Sequence, residues 1–473
     1  MRIVGRNNEK EGLMQCLLSK RPEFVVVYGR RRVGKTYLIR EYFNKSFSFY
    51  ATGLTSEKTK GQLRGFTASL NEYGHAEKSI PADWFEAFSR LKALLESVNV
   101  YREPINNKRV VFLDELPWMD TARSDFKSAL DYFWNSWASA QEDIVLIVCG
   151  SATSWIITNL LTDKKGFHNR VTRRIHLAPF TLAECEQLFA LNDVVMTRKQ
   201  MIESYMILGG IPHYLCLYDS RLSLAQNINE LCFKEHGQLA NEYHNLFYSL
   251  YDKPEKHLAI LDALAKHRTG LTRAELSKEK AIGGGSVLTK DLLELEECGF
   301  IRKYINCKKG EGEPFYQLID PFVLFYIGFI KNKKFDSWNE YINTPGYNAW
   351  RGNAFEIVCI NHIEQIKSAL GIRGIETHEF AWRSTEPGES AQIDLVIKRK
   401  DGVSNLCEMK FTNEEYSPDE AEYQKIENRL SMFQKVTETK DAVHLTLICG
   451  NGYKRSKYSG IVQNVIVGDD LFT

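Results

Sequence analysis

The chain is poor in the signals that would place it by composition. Its 61 basic and 60 acidic side chains leave a net charge of +1. No bulk positive charge therefore advertises nucleic acid, and any such affinity has to come from local patches. Ten cysteines are scattered (Cys16, Cys149, Cys185, Cys216, Cys232, Cys298, Cys307, Cys359, Cys407 and Cys449) and none form a Cys-x-x-Cys pair, which argues against a zinc ribbon or finger. Cys149, Cys407 and Cys449 stand in apolar strand-like runs, where a small buried thiol is the plain expectation. The pattern fits a reducing cytosol, so a cytoplasmic location is expected. The opening MRIVGRNNEK has no apolar signal core. The longest apolar run, Phe322 to Ile330, is far short of the ~20 residues that span a bilayer and reads as a core helix, so no membrane is expected. Internal repeats and low-complexity tails are absent as well.

What is present is length and alternation. At roughly 100–200 residues per domain, 473 residues suggest two to four domains, and a 44% hydrophobic content is ordinary for globular protein. Up to about residue 180, short β-rich runs alternate with amphipathic stretches. The runs are FVVVYG, SFSFYA, RVVFLDEL, DIVLIVCG and RRIHLAPF. Unbroken Val/Ile/Leu/Phe strands between helices indicate a parallel sheet covered on both faces. Residues 181–250 read as helices around a GGIP turn at 209–212. In 251–345, KHLAILDALAKH, LTRAELSKE and GGSVLTKDLLELEECGF read as three helices. Two strands follow, around a basic, Gly-rich tip, which together suggest a winged helix. From 346, a helix (NAFEIVCINHIEQIKSAL) leads to strands at AQIDLVIK and NLCEMKF, a charged helix, and a last strand HLTLICG.

The segment Gly29, Arg30, Arg31, Arg32, Val33, Gly34, Lys35 and Thr36 matches G-x-x-x-x-G-K-[ST]. Its glycines let backbone N–H groups wrap phosphates. Lys35 would reach the β- and γ-phosphates, and the Thr36 hydroxyl would bind Mg²⁺. A β run precedes it and a helix follows, so a helix N-terminus also faces the anion. ATP and Mg²⁺ are therefore the expected cofactors. RVVFLDEL ends in Asp114 and Glu115 at the carboxyl end of a strand, beside the phosphates. Asp114 is the candidate Mg²⁺ holder and Glu115 the candidate base that orients water. A solvated strand-end carboxylate is the alternative for Glu115.

These motifs resemble AAA+/STAND-type P-loop ATPases, in particular the archaeal-type ATPase family of prokaryotes. The resemblance runs from IVGRNNE through GRRRVGKT, VVFLDELPW, the VCGS step and GGIP, about the first half of the chain. It implies that Val4–Arg6 and Glu9 form the opening segment, with Ile3 and Val4 near the adenine. It also implies that Ser151 is the polar sensor, and that Gly210 and Pro212 belong to the lid motif. Arg170, with Arg173 or Arg174, precedes the last strand. A guanidinium there could sense the γ-phosphate of its own or a neighbouring subunit's ATP, or simply form a solvated basic face. His168 is expected on the surface.

A second constellation comprises Glu356, Asp394, Glu408 and Lys410. Acids can hold a divalent cation, Mg²⁺ or Mn²⁺, and a lysine beside them can activate water and stabilise phosphate charge. Glu408 and Lys410 are two apart and share a strand face. A two-residue Asp401-Gly402 turn would set Asp394 on the wrong face. A three-residue Lys400-Asp401-Gly402 loop, with Gly402 left-handed, sets Asp394 opposite Glu408. Glu356 on the preceding helix would complete the cluster as a metal ligand. This pattern resembles a PD-(D/E)xK nuclease over roughly residues 346–450, although Ile393 stands where a proline is nominal. A further helix residue, Gln424 or Lys425, is left open.

The expectation is thus a multidomain α/β protein: a P-loop parallel sheet (1–180) with a helical lid (181–250), a winged helix and connector (251–345), and a C-terminal restriction-endonuclease-like α/β domain (346–473). The would-be recognition helix is acidic, with Lys290 its one basic residue. FIRKYINCKK and Lys331–Lys334 could track phosphates. Alternatively the segment is a connector that transmits the ATPase's state. Two functions follow. One is an ATPase coupled to a metal-dependent nuclease-like domain acting on DNA. The other is a nucleotide-controlled signalling or assembly switch with a silent nuclease fold, acting on further copies of itself or on a protein partner.

Overall fold

The computed structural model describes residues 3–151, 153–161, 167, 169–251, 253–305, 313–342, 344–384 and 391–473. His168 and the basic tip at 306–312 lie outside them. The chain divides into two compact units, Met1–Ala178 and Pro179–Thr473.

The first unit is built on five strands: β1 (Glu23–Tyr28), β2 (Phe49–Thr52), β3 (Arg109–Asp114), β4 (Ile144–Cys149) and β5 (Arg173–His176). They lie in the order β2-β3-β4-β1-β5, and every pairing is parallel. Alternate residues of one strand serve opposite cores. Phe24 and Val26 join Val111, Leu113, Leu146 and Val148 under the helices Thr59–Glu72, Trp84–Leu95 and Phe126–Ser136. Val25 and Val27 join Val110, Phe112, Val145 and Ile147 under Asn7–Leu18 and Lys35–Tyr42. Each such side chain contributes ~1.5–3 kcal/mol when fully buried, which is why these strands read as unbroken apolar runs.

In the second unit, helices Leu182–Leu191 and Arg198–Leu208 each open on a capping box, Thr181 with Glu184 and Thr197 with Gln200. Gly210 lies against Phe180: a Cβ on it would sit 1.9 Å from the Phe180 carbonyl oxygen. Pro212 then starts the short helix Pro212–Leu215, where a missing amide costs nothing. Strands β6 (Leu271–Thr272), β7 (Ile301–Tyr304) and β8 (Phe315–Leu318) form an antiparallel sheet in the order β6-β8-β7. Helices Glu255–Leu264, Arg273–Leu276 and Gly285–Glu297 accompany it.

The last sheet has strands β9 (Thr377–Arg383), β10 (Gln392–Arg399), β11 (Val403–Lys410), β12 (Ala442–Cys449) and β13 (Val462–Val467). Its order is β13-β12-β11-β10-β9; β9, β10 and β11 run antiparallel, while β11, β12 and β13 run parallel. The edge strands β9 and β13 are additions to the sequence expectation. The helix expected from Asn353 to Leu370 is in fact two, Pro345–Asn361 and Ile363–Ala369, broken at His362.

The hairpin expected as a wing shares a core with this sheet. Tyr304 and Phe315 pack with Phe380, Trp382, Val396, Leu406 and Phe433. Arg383 meets Glu275 at 2.6 Å and lies over the Phe315 ring at 4.7 Å. The run Lys331–Lys334 is partly neutralised: Lys331 pairs with Asp262 at 2.5 Å and Lys333 with Asp336 at 3.0 Å. Among the described residues no helix is long and apolar enough to cross a membrane.

Candidate functional site

β1 ends at Tyr28, and the chain turns through Gly29 (φ 138°), Arg32 (φ 71°) and Gly34 (φ 93°) into the helix Lys35–Tyr42. At Gly29 the open backbone is compulsory, since a Cβ would lie 2.3 Å from the Leu177 carbonyl oxygen. The Lys35 ammonium is buried and donates to the carbonyls of Gly29 (2.8 Å) and Arg30 (2.9 Å). Val33, in the middle of the loop, is buried and its carbonyl accepts from Arg6 at 3.4 Å. The opening segment is thereby tied to the loop.

β3 delivers Asp114, which is 3% exposed. Its Oδ1 accepts from the Thr36 hydroxyl (3.1 Å), the Cys149 thiol (2.6 Å) and the Glu115 amide (2.9 Å). Burial pushes the Asp114 carboxyl above its usual range, while the thiol and hydroxyl bonds pull it back. Thr36 and Asp114 are hard oxygen donors in contact, so together they fit Mg²⁺, which would neutralise phosphate charge. Glu115 takes a left-handed backbone (φ 46°). Its Oε2 accepts from both the amide (3.0 Å) and the hydroxyl (2.9 Å) of Ser151. This follows from strand order: β4, which ends just before Ser151, lies between β1 and β3. Ser151 therefore holds the candidate base.

The arginines are placed differently from the own-chain expectation. Arg173 pairs with Val25 and Arg174 with Val26, at the amino end of β5. Gly29 lies four residues beyond Val25, or ~13 Å along a strand, farther than an arginine side chain extends. Arg173 instead donates to Gln15 (2.9 Å) and Arg174 to the Leu161 carbonyl (3.3 Å). Arg170 stands exposed in the turn before β5. A parallel strand carries its loop chemistry at its carboxyl end, so residues preceding β5 fall on the opposite rim.

Residues 3–217 match the family described as an ATPase domain predominantly from Archaea. The chain carries an archaeal-type ATPase domain. An uncharacterized protein of Methanocaldococcus jannaschii is 23% identical over 340 residues, covering 69% of each chain. Among solved structures, a Walker-type ATPase of Pyrococcus abyssi is similar with a TM-score of 0.49 and 18% identity, over 69% of this chain and 96% of that one. The Aeropyrum pernix ORC2 protein, in its ADPNP–ADP complexes, gives a TM-score of 0.43 and 15% identity over 69% and 93%. Hydrolysis of ATP is the activity of the ATPase domain, and Lys35, Thr36, Asp114, Glu115 and Ser151 are its assembled candidates. Gly210 and Pro212, at the end of the matched segment, stand in the second unit.

Beyond the ATPase domain, β10 and β11 pair Leu395 with Cys407 and Lys398 with Ser404. Continued one step, that register sets Asp394 opposite Glu408. The loop between them is Lys400-Asp401-Gly402, with Gly402 at φ 82°. Glu356 is 5% exposed on the helix Pro345–Asn361. Its Oε1 accepts from Arg268 at 3.1 Å, while Oε2 is buried without a hydrogen-bond partner. Burial, with the charges of Asp394 and Glu408, pushes its carboxyl well up. Burial also raises Asp394, against a hydrogen bond from Gln392 at 2.6 Å.

The acids face one another but do not meet at a single point. Three ligand atoms within 4.8 Å of one another occur elsewhere among the described residues, not here. Cations hold them separately: Arg268 on Glu356, Arg429 on Glu408 (2.7 Å), and Lys410 between Glu408 (3.0 Å) and Glu422 (2.7 Å). Burial works against the Lys410 ammonium, but Glu408 and Glu422 outweigh it and raise its pKa. Like carboxylates repel at short range, so their separation is the expected arrangement for a protein balanced by its own cations. Of the two helix residues left open, Gln424 is exposed and Lys425 pairs with Glu422. The helix Glu420–Thr437 contributes Glu422 and Arg429 instead. The signal was available: with Ile426 and Phe433, both buried, they form a stripe at helical spacing. Arg268, distant in sequence, carried no signal.

Proposed function

We propose that this chain uses ATP binding and hydrolysis to control a metal-dependent nuclease-like site acting on DNA. In this reading it is an AAA+/STAND-type ATPase of the cytosol, with a winged-helix segment and a PD-(D/E)xK-like C-terminal domain. The observation that carries the reading is the β10–β11 register, which sets Asp394 opposite Glu408 with Lys410 on the same face. Beside them is a buried Glu356 with one oxygen lacking a donor. Glu356, Asp394 and Glu408 are hard oxygen donors suited to Mg²⁺ or Mn²⁺. The ion would polarise a phosphodiester and lower the pKa of a bound water. Lys410 would stabilise charge growing on the phosphate. Pro212 would act with the lid, and Arg170 would serve a neighbouring copy's nucleotide.

A cleavage assay on single- and double-stranded DNA and RNA, with Mg²⁺ or Mn²⁺ and with or without ATP, tests the reading. Parent cleavage that disappears in Asp394→Ala, with ATP turnover intact, supports it. Cleavage unchanged in that variant, or absent under every condition, removes the nuclease. A second reading, a nucleotide-controlled switch with a silent nuclease fold, is favoured by the paired cations on Glu356 and Glu408 and by the shared core that ties the wing hairpin to the last sheet.

A further inference from the structure

The helices Glu255–Leu264 and Gly285–Glu297 meet at a polar spot inside the middle segment. His257, on the first, is 4% exposed. Its Nε2 lies 2.9 Å from Glu294 Oε2 and 3.8 Å from Asp291 Oδ1. Asp291 and Glu294 are three residues apart on the second helix and so share a face. The three ligand atoms all fall within 4.8 Å of one another, a spacing that no other set of His, Cys, Asp and Glu attains among the described residues. The Tyr251 ring stacks on the imidazole at 3.8 Å and 10°, fixing its plane.

The charges do not balance within the cluster. Asp291 is 7% exposed, and its Oδ2 is buried with no hydrogen-bond partner. One turn along, Glu297 Oε2 is also buried without one. Among the described residues, the lysine paired with this group is Lys290, largely exposed and 3.6 Å from Glu294 Oε1. A buried carboxylate oxygen without a donor is destabilising, so the site is built to receive positive charge. An imidazole nitrogen beside two carboxylates suits first-row transition metals better than Mg²⁺ or Ca²⁺. Three protein ligands also leave a position open to water.

We propose that His257, Asp291 and Glu294 bind a divalent transition metal, which clamps the helix Gly285–Glu297 to the helix Glu255–Leu264. The acidity of that second helix then has a purpose inside the protein. Its inward carboxylates serve the metal rather than a nucleic-acid groove.

The test uses metal-stripped full-length protein titrated with Co²⁺ and followed by its visible absorption. The expected result is one equivalent of Co²⁺ with a band of low-symmetry N/O coordination, displaced by Zn²⁺. The band should persist in Asp394→Asn, which separates this site from the nuclease-like acids. It should vanish in His257→Gln. Should His257→Gln unfold the segment, as judged by far-ultraviolet circular dichroism, Asp291→Asn decides, because it keeps the side-chain shape. No band in the parent, or a band that survives both substitutions, overturns the proposal. Zn²⁺ should also raise the parent's melting temperature and leave that of Asp291→Asn unchanged.

Discussion

Acid should loosen the second unit through one residue, His362. The break between the helices Pro345–Asn361 and Ile363–Ala369 falls on this histidine, which is fully buried against Tyr205. Its Nδ1 donates to the Val358 carbonyl at 2.7 Å, and its Nε2 accepts from the Leu182 amide at 2.9 Å. The helix Leu182–Leu191 is thereby joined to the C-terminal segment by a nitrogen that works only when unprotonated. Burial pushes the imidazole pKa from its ordinary 6.5 down to about 4. The folded state therefore resists a proton that the unfolded chain accepts. The resulting stability is fully present above pH 6.5 and is lost as pH falls toward 4. A gap of that size corresponds to about 3 kcal/mol at 1.36 kcal/mol per pKa unit. For a unit of roughly 300 residues, with an unfolding entropy of ~2.1 cal/mol/K per residue, it should move the melting temperature by ~5 °C. The assay compares melts of parent and His362→Gln at pH 7.5 and 4.5. Gln keeps an acceptor but takes up no proton in this range. Carboxylates titrate in both proteins, so the difference between them isolates the histidine. The parent's advantage should shrink by most of that amount in acid. An advantage of equal size at both pH values would refute the reasoning.

Other outcomes are expected at the nucleotide site and at Gly210. Lys35→Ala should lose ATP binding, which equilibrium titration with a fluorescent nucleotide would show; normal affinity would remove the P-loop assignment. Glu115→Gln keeps an acceptor for Ser151 but no base, so ATP should bind normally and turn over ~10²–10⁴-fold more slowly. Turnover within a few-fold of the parent would clear Glu115 of that role. Ser151→Ala removes one of two donors to the Glu115 carboxylate, and a charge-assisted bond of ~1.5 kcal/mol corresponds to about a tenfold fall in kcat. Gly210→Ala places a methyl 1.9 Å from the Phe180 carbonyl oxygen, and the backbone shift this forces should cost ~2–3 kcal/mol in urea unfolding.

Legibility in the sequence followed locality. The P-loop and the Asp114–Glu115 strand end depend on neighbouring residues, so their chemistry could be read directly; the Lys400–Gly402 loop, and with it the β10–β11 register, followed only from requiring Asp394 to face Glu408. Strands buried on both faces announced themselves by unbroken apolar runs. The edge strands β9 and β13 carry mixed residues such as His378 and Asn464 and gave no such run. His362 lies inside a continuous helical pattern, and its partner Leu182 is 180 positions away, beyond the reach of any such pattern. Arg268 on Glu356 and Cys149 on Asp114 are likewise long-range pairings, invisible to any window along the chain. The arginines before β5 could not be assigned from the sequence for another reason. Closeness in sequence to a strand does not say which end of it a residue occupies.

The shared core of the β7–β8 hairpin and the last sheet bears on how the protein can be dissected. A fragment ending near residue 345 would strip Tyr304 and Phe315 of Phe380, Trp382 and Phe433, leaving aromatic surface in water. A fragment beginning there would bare the other half. Neither piece should be well behaved alone, whereas the boundary of the two compact units falls between Ala178 and Pro179. Any nucleotide-driven displacement would likewise carry the middle segment and the C-terminal sheet as one load.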